Sequence, residues 1–531
     1  MPRQWLNAVY GVVLLALAGS GPLQGQEDGQ PREAAPTKAS SHSTSVTQAQ
    51  SGPAGDEKLD RATVERMIQE AIAVEAAKRQ VPSVVPHGRD FGLQATWDHG
   101  FVAQTADEAF RFHMGGRLEF DNTWFTQDSF LLLGNSNTSR LNDGSMFRRA
   151  RLRADGLLWG YIDFVTEVNF ANIQEVKNTS NQETQIGSVG LTDFYMTFRE
   201  LPLAGNVRVG HFRPPVGLDR YSGSVTLNYM ERSTLFDAFL APTNFQNGIL
   251  VFDSYLDDRV TLAGAFTRTG TGATQSFGFI AADGKYAGSG RVTGLPIYAE
   301  EGRQLLHLGV GYQHQTLVDH SFSASSRPLL RAGSGTNPDT PSVLATGTYY
   351  SPQGTDILDL EAASVCGPLS FSAEYALLRA TELFNDYDGF AFSGPRGDVL
   401  YQAFYVEAGC FLTPDDYRRY DKKTGTWGRT LPQDHAVVEW NKQTGWNGGL
   451  GAVQLVARFT YLDLLEGDPV LSSTSGGALA GKQTDITLGV NWYLNSQVWI
   501  MVNYVWTHID SVDSTASGNF QGLGTRIHID F

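Results

Sequence analysis

From Phe110 to the end of the chain, apolar residues return at every second position. Phe110, Phe112, Met114, Leu118 and Phe120 alternate with Arg111, His113, Arg117, Glu119 and Asp121. Ile162, Phe164, Val168 and Phe170 alternate with Asp163, Glu167 and Asn169, and Leu306, Leu308, Val310 and Tyr312 with His307, Gly309, Gly311 and Gln313. Near the end, Ile486, Leu488, Val490 and Trp492 alternate with Asp485, Thr487, Gly489 and Asn491, and Val498 to Trp506 repeats the pattern. A period of two is the signature of a strand, whose side chains point to opposite faces in turn. A soluble sandwich also alternates, but rarely sets charged residues on one face of so many strands. The pattern predicts an all-β chain, a transmembrane antiparallel β-barrel with lipid outside and water inside. Dividing roughly 420 residues at about 26 per strand and loop gives about 16 strands, an even number as bacterial barrels require.

The breaks between strands are of two kinds. Leu494-Asn495-Ser496-Gln497 reads as a tight periplasmic turn, whereas the polar stretches Asp319–Pro352 and Pro414–Gly445 read as exterior loops. The irregular Arg220–Asn247 segment is the candidate for a constriction folded inward. Ahead of the barrel the pattern changes. Residues 1–25 have Arg3, an apolar Ala8–Ala18 run and then small residues, the organisation of a secretory signal peptide. Residues 26–55 hold few large apolar side chains and are expected to be a disordered linker. Residues 56–82 are rich in helix formers, with Val64, Met67, Ala71 and Val74 at heptad-like spacing. They fit a single amphipathic periplasmic helix or a short coiled coil. Residues 83–109 connect this helix to the barrel at 110–531.

Composition narrows the class. The 531 residues include 57 Gly, 11% aromatics and only 18% charged residues, with a net charge of −16. So acidic a chain lacks the basic footprint of a nucleic-acid binder. Past the N-terminal leader there is no apolar run long enough for a membrane helix. The two cysteines, Cys366 and Cys410, have no metal or redox spacing and read as incidental thiols. His113, His211, His307 and His528 fall on separate strands without metal-ligand spacing, and no Gly-x-Ser-x-Gly elbow occurs. Neither catalytic residues, nor a cofactor, nor a metal site is read from the sequence.

The densest chemistry lies in Met146–Asp155, MFRRARLRAD. On a strand, Arg149, Arg151, Arg153 and Asp155 share one face, and Ala150, Leu152 and Ala154 the other. Two residues advance the strand by about 6.6–7 Å, so the three guanidiniums form a ladder of positive steps. A solvated edge strand is the plain alternative for such a run. Arginine suits an anion path because it stays charged and its planar fork grips phosphate oxygens in two places. Arg111 and Arg117 on an earlier strand join these as candidates, as do Arg208 on the polar face of Val207–Val209 and Arg458; Lys285 and Arg291 also have lumen-type parity. Arg148, with the opposite parity, is expected at the membrane edge. Glu119, Asp121, Asp155, Asp163, Glu167, Asp193, Asp359, Glu361, Glu374, Glu407, Asp485 and Asp530 share the lumen parity. Each arginine can therefore contact a solute or simply pair with an acid and stiffen the wall.

Several stretches, in order, resemble the phosphate-selective porin O and P family. They are Met146–Asp155, Val207–Gly217 (VRVGHFRPPVG) with Met230-Glu231-Arg232-Ser233, Arg291–Leu308, Tyr405–Thr413, Gly451–Asp463 and Asp485–His508. The ending at Phe531 resembles the assembly signal of outer-membrane barrels. The resemblance implies a sixteen-stranded homotrimeric channel in the cell outer membrane, among its lipids, that passes inorganic phosphate, polyphosphate or other small anions passively and is not an enzyme. A general non-selective porin, or a structural protein tethering the envelope through residues 56–82, is the alternative.

Overall fold

In a computed structural model, the described residues run from 92 to 531, apart from 129–140, 172–173, 178–182, 187–188, 271–284, 333–339, 437–439, 442–444, 447–448, 466–479 and 513–516. The leader, linker and helix expected over residues 1–82 lie outside the described residues. Sixteen antiparallel strands close on themselves. They are β1 Arg111–Gln127, β2 Gly144–Leu158, β3 Ile162–Asn169, β4 Gly190–Leu201, β5 Gly205–Phe212, β6 Gln246–Tyr255, β7 Val260–Arg268 and β8 Tyr286–Ala299. The series continues with β9 Gln304–Gln315, β10 Thr355–Cys366, β11 Leu369–Tyr387, β12 Phe392–Phe411, β13 Ala452–Asp463, β14 Gly481–Tyr493, β15 Val498–Ser511 and β16 Gly518–Asp530. β16 pairs with β1 from Phe520↔Gln127 to Asp530↔Arg117, which closes the wall. Closure leaves no unpaired backbone edge in lipid, where each unsatisfied group would be costly.

The two faces separate as the alternation requires. Phe112, Met114 and Leu118 on β1, Leu308, Val310 and Tyr312 on β9, and Ile486, Leu488, Val490 and Trp492 on β14 are exposed on the outer surface. Their neighbours Arg117, Glu119, Asp121, His307, Gln313, Asp485, Thr487 and Asn491 are buried inside. Cys366 and Cys410 are both free.

Short turns join Leu158 to Ile162, Leu201 to Gly205, Tyr255 to Val260, Ala299 to Gln304, Cys366 to Leu369 and Tyr493 to Val498, all at one end. That end is periplasmic by its short turns. Counting strand crossings puts the 316–354 connection at the opposite, long-loop end, as expected. It puts the 412–451 connection, between β12 and β13, at the short-turn end. The expectation of an exterior loop at Pro414–Gly445 is therefore corrected. Polarity and length mark a loop, but only the strand count decides from which rim it leaves.

Three connections turn into the barrel. The 213–245 segment, between β5 and β6, begins before the expected Arg220–Asn247 because β5 ends at Phe212, and ends before it because Gln246 and Asn247 already belong to β6. It carries a single helical turn at Leu218–Tyr221 and a π-helical turn at Phe236–Leu240. Leu235, Phe239 and Leu240 pack with Phe322, Leu344 and Tyr349 of the 316–354 loop and with inward-facing Ile357, Leu378, Tyr401 and Leu462, a hydrophobic core inside the barrel. Asp237 accepts from Arg327 Nη2 (2.5 Å) and Arg331 Nη2 (3.0 Å), tying the two segments together. From the short-turn end, the Trp427 N–H of the 412–451 segment donates to Ser222 Oγ (3.3 Å).

The 213–245 segment is held by Glu231. Its carboxylate accepts from Arg148 Nε (2.6 Å) and Nη2 (2.9 Å) of β2 and from Arg526 Nη2 (3.3 Å) of β16, with Arg331 Nε at 3.7 Å. Its carbonyl accepts both terminal nitrogens of Arg458 on β13 (3.1 Å each). The Met230 N–H donates to Asn503 Oδ1 (2.8 Å), and its carbonyl accepts from Arg526 Nη1 (2.6 Å). Glu231→Ala would leave these buried cations short of their counter-charge. Removing one partner of a buried pair costs about 3–5 kcal/mol, so the unfolding midpoint of the purified barrel in urea should fall clearly, and less for Glu231→Gln. Gly524 of β16 lies beneath this contact: a Cβ there would sit 2.6 Å from Leu330 Cδ2 and 2.8 Å from Met230 Sδ. Gly524→Val should cost about 1–3 kcal/mol by overpacking and should push the inserted segments off the wall, read as a larger single-channel conductance.

Candidate functional site

The β2 arginines take the inward face, but with one departure from strict alternation. β2 and β1 pair Arg149↔Glu119 and then Phe147↔Phe120, which leaves Arg148 as an extra residue at a bulge. A bulge inserts one residue and re-aims the side chains on either side of it. Arg148 therefore reaches Glu231 in the lumen, and its expected place at the membrane edge is corrected. Parity counted across an undetected bulge fails from that residue onward.

Arg117, Arg151 and Arg153 line one polar cavity of about 220 Å³ at the short-turn end of the lumen, together with Arg213, Arg429, Glu167, Asp193, Asp530, His99, His113 and Phe531. The five arginines come from four parts of the chain. Arg117 stands on β1, Arg151 and Arg153 on β2, Arg213 on the inserted segment after β5, and Arg429 on the segment after β12. Glu167 is shared: Arg151 Nη1 donates to it at 2.6 Å, Arg117 Nη2 at 3.2 Å, and Thr192 Oγ1 at 2.8 Å. Arg429 Nη1 donates to Asp530 (2.5 Å) and to the Ser496 carbonyl (2.9 Å). Arg213 Nη1 donates to the carbonyls of Arg220 (3.1 Å) and Ser222 (2.9 Å), with Asp193 at 4.0 Å. Arg153 Nε donates to Asp155 (2.8 Å), which also bonds His113 (3.0 Å).

The balance of this site is positive by one, five guanidiniums against the lining carboxylates Glu167, Asp193 and Asp530 and the Asp155 that pairs with Arg153. The Nε groups of Arg117 and Arg151 are buried and meet no acceptor among the described residues. A buried N–H without an acceptor carries its full desolvation cost.

The other sequence candidates lie elsewhere. Arg149 is buried against Glu119, beside Arg526, which bonds Asp121 through Nε and Nη2 (2.7 Å each). Arg458 is buried under the inserted segment with its guanidinium 4.2 Å from the centre of the Tyr229 ring. Arg208 lies 3.9 Å over the Tyr195 ring and donates to Thr197 Oγ1 (3.1 Å). Arg111 begins β1 at the short-turn rim. Arg291 is committed to Glu361 (2.8 and 2.6 Å) and to the Gly425 carbonyl (2.7 Å). Sequence reading missed Arg213, Arg429 and Arg526. Arg526 sits in an alternating strand and was open to the same parity argument, whereas Arg213 and Arg429 are on non-periodic segments that carry no parity signal.

The family model for phosphate-selective porin O and P matches residues 114–531. Porin O of Pseudomonas aeruginosa is 25% identical over 475 residues, covering 87% of this chain and 97% of that protein. An uncharacterized protein of Caulobacter vibrioides is 25% identical over 469 residues, covering 87% and 81%. Among solved structures, an anion-selective porin from Comamonas acidovorans covers 80% of this chain and 100% of its own at 12% identity and a TM-score of 0.43. The outer-membrane channel DcaP of Acinetobacter baumannii covers 81% and 99% at 10% identity and a TM-score of 0.43. The assignment rests on the family match, which spans the barrel from its first strand to its last: this chain, an outer-membrane porin, belongs to the phosphate-selective porin O and P family.

Proposed function

We propose that the chain gives passive diffusion to small anions, with inorganic phosphate or polyphosphate as the solute class, and that the anion path runs through the arginine cavity at the short-turn end. The observation that carries this reading is the convergence of five guanidiniums on one lumen cavity, with Arg117 and Arg151 sharing the single carboxylate of Glu167. An ion sheds its water only where fixed donors replace it, and it leaves again because no donor set is complete around it. Arg117 and Arg151 share Glu167, so neither guanidinium is fully neutralised by its partner. Arg153 is 36% exposed at its side chain, the most open of the three, and is suited to hand an anion on. Arg149 and Arg458 act differently in this reading: they hold the wall and the inserted segment in place. A homotrimer in the outer-membrane lipid is the assembly proposed, by the family's precedent.

The test is the reversal potential of the purified protein in planar bilayers under asymmetric chloride, repeated with phosphate. Wild type should prefer anions. Arg151→Ala with Arg153→Ala removes two of the five cavity guanidiniums and leaves three against Glu167, Asp193, Asp530 and the freed Asp155, so the preference should fall to near zero or reverse. Arg379→Ala, in an exposed pair with Asp398, should leave it unchanged. A wild type without anion preference would make the chain a general porin and remove phosphate from the reading.

A further inference from the structure

A second arrangement of charge stands on the lumen wall where β10 and β11 pass the inserted segment. Glu361 and Glu374 face each other across this strand pair, and Asp359 lies two residues from Glu361 on the same face. One oxygen from each carboxylate falls within 4.8 Å of the others. All three residues are buried. Glu361 accepts from Arg291 (2.8 and 2.6 Å) and lies 3.2 Å from His307 Nε2. Glu374 accepts the backbone N–H groups of Leu218 and Asp219. Asp359 differs: it has 0% exposure, and neither carboxylate oxygen meets a donor among the described residues.

We propose that Asp359, Glu361 and Glu374 bind one divalent, oxygen-preferring cation, with Ca²⁺ the best match. Calcium takes carboxylate oxygens at about 2.3–2.6 Å, so two oxygens sharing one ion stand at most about twice that distance apart, which the observed spacing meets. Magnesium's shorter bonds and stricter octahedron fit the spread less well. Charge argues the same way. Three carboxylates meet the single guanidinium of Arg291, and a divalent ion offsets the two negative charges left over. The ion also keeps Glu374 placed to accept from Leu218 and Asp219, so it fastens the inserted segment to the wall. Such an ion hides an acidic patch from anions crossing the lumen.

The experiment uses the full mature chain in detergent, stripped with EDTA and titrated with Ca²⁺, following stoichiometry by equilibrium dialysis and the thermal midpoint. Tb³⁺ serves as a luminescent probe, sensitised by Tyr405, which lies opposite Glu374 on β12. The expected result is one ion per chain, a raised midpoint with Ca²⁺, and binding weakened on the order of tenfold or more in Asp359→Asn. Asp388→Asn, in an exposed hairpin, should bind as wild type does. In EDTA, Asp359→Asn should be at least as stable as wild type, because it removes like-charge repulsion. Glu374→Gln, which keeps an acceptor for the inserted segment, reads the same loss of binding should Asp359→Asn fold poorly. Absence of a stoichiometric ion in wild type, or an unchanged titration in both variants, would overturn the site in favour of shared protons.

Discussion

Glu231 is the contact on which the interior of this barrel depends. An irregular segment can lie at membrane depth only if its backbone and charges find partners inside the protein. The 213–245 segment finds most of its charged wall partners at one residue, whose carboxylate gathers Arg148 and Arg526 with Arg331 close by and whose carbonyl gathers Arg458. These arginines come from three wall strands and a second inserted loop, so one side chain sets the segment against much of the circumference. Asp237 then ties that second loop to the first. The helical turn at Leu218 obeys the same rule, since its leading N–H groups, which have no acceptor within the turn, donate to Glu374 of β11. Gly217, at φ 78, makes the approach: a Cβ there would lie 3.0 Å from Leu240 Cδ1 and 3.1 Å from Glu374 Oε1.

The acids and bases of the lumen therefore divide by what surrounds them. Where an inserted segment covers the wall, guanidinium and carboxylate neutralise each other and act as struts, as with Arg149 and Glu119 or Arg291 and Glu361. Buried pairs of this kind are weak sources of net stability, yet costly to break from one side. At the short-turn end Arg117 and Arg151 share one carboxylate, Glu167, so the pairing there is unequal. A net charge of −16 over the chain is thus compatible with a locally positive passage, because a field inside a low-dielectric wall is set by the nearest groups.

Much of the barrel was legible from periodicity alone. Alternation on β1, β9 and β14 named the lipid and lumen faces correctly, because a strand buried on one face tolerates no slip of one residue. Arg148 shows where that argument stops: its bulge is visible only in the pairing with β1. The 412–451 segment shows a second limit, since its polar composition suits either rim. Arg213 and Arg429 show a third, because they join the cavity through loops whose course no local pattern records.

By itself, then, the sequence determined the closed wall, its two faces, its approximate strand number and the presence of arginines among acids inside. These follow from the period of two and from the cost of exposing polar groups to lipid, which act residue by residue along the chain. Tertiary structure alone decided which arginines keep charge to spare. That depends on which carboxylate lies within about 3 Å of each guanidinium, and such neighbours are brought together across the lumen by segments far apart in the chain.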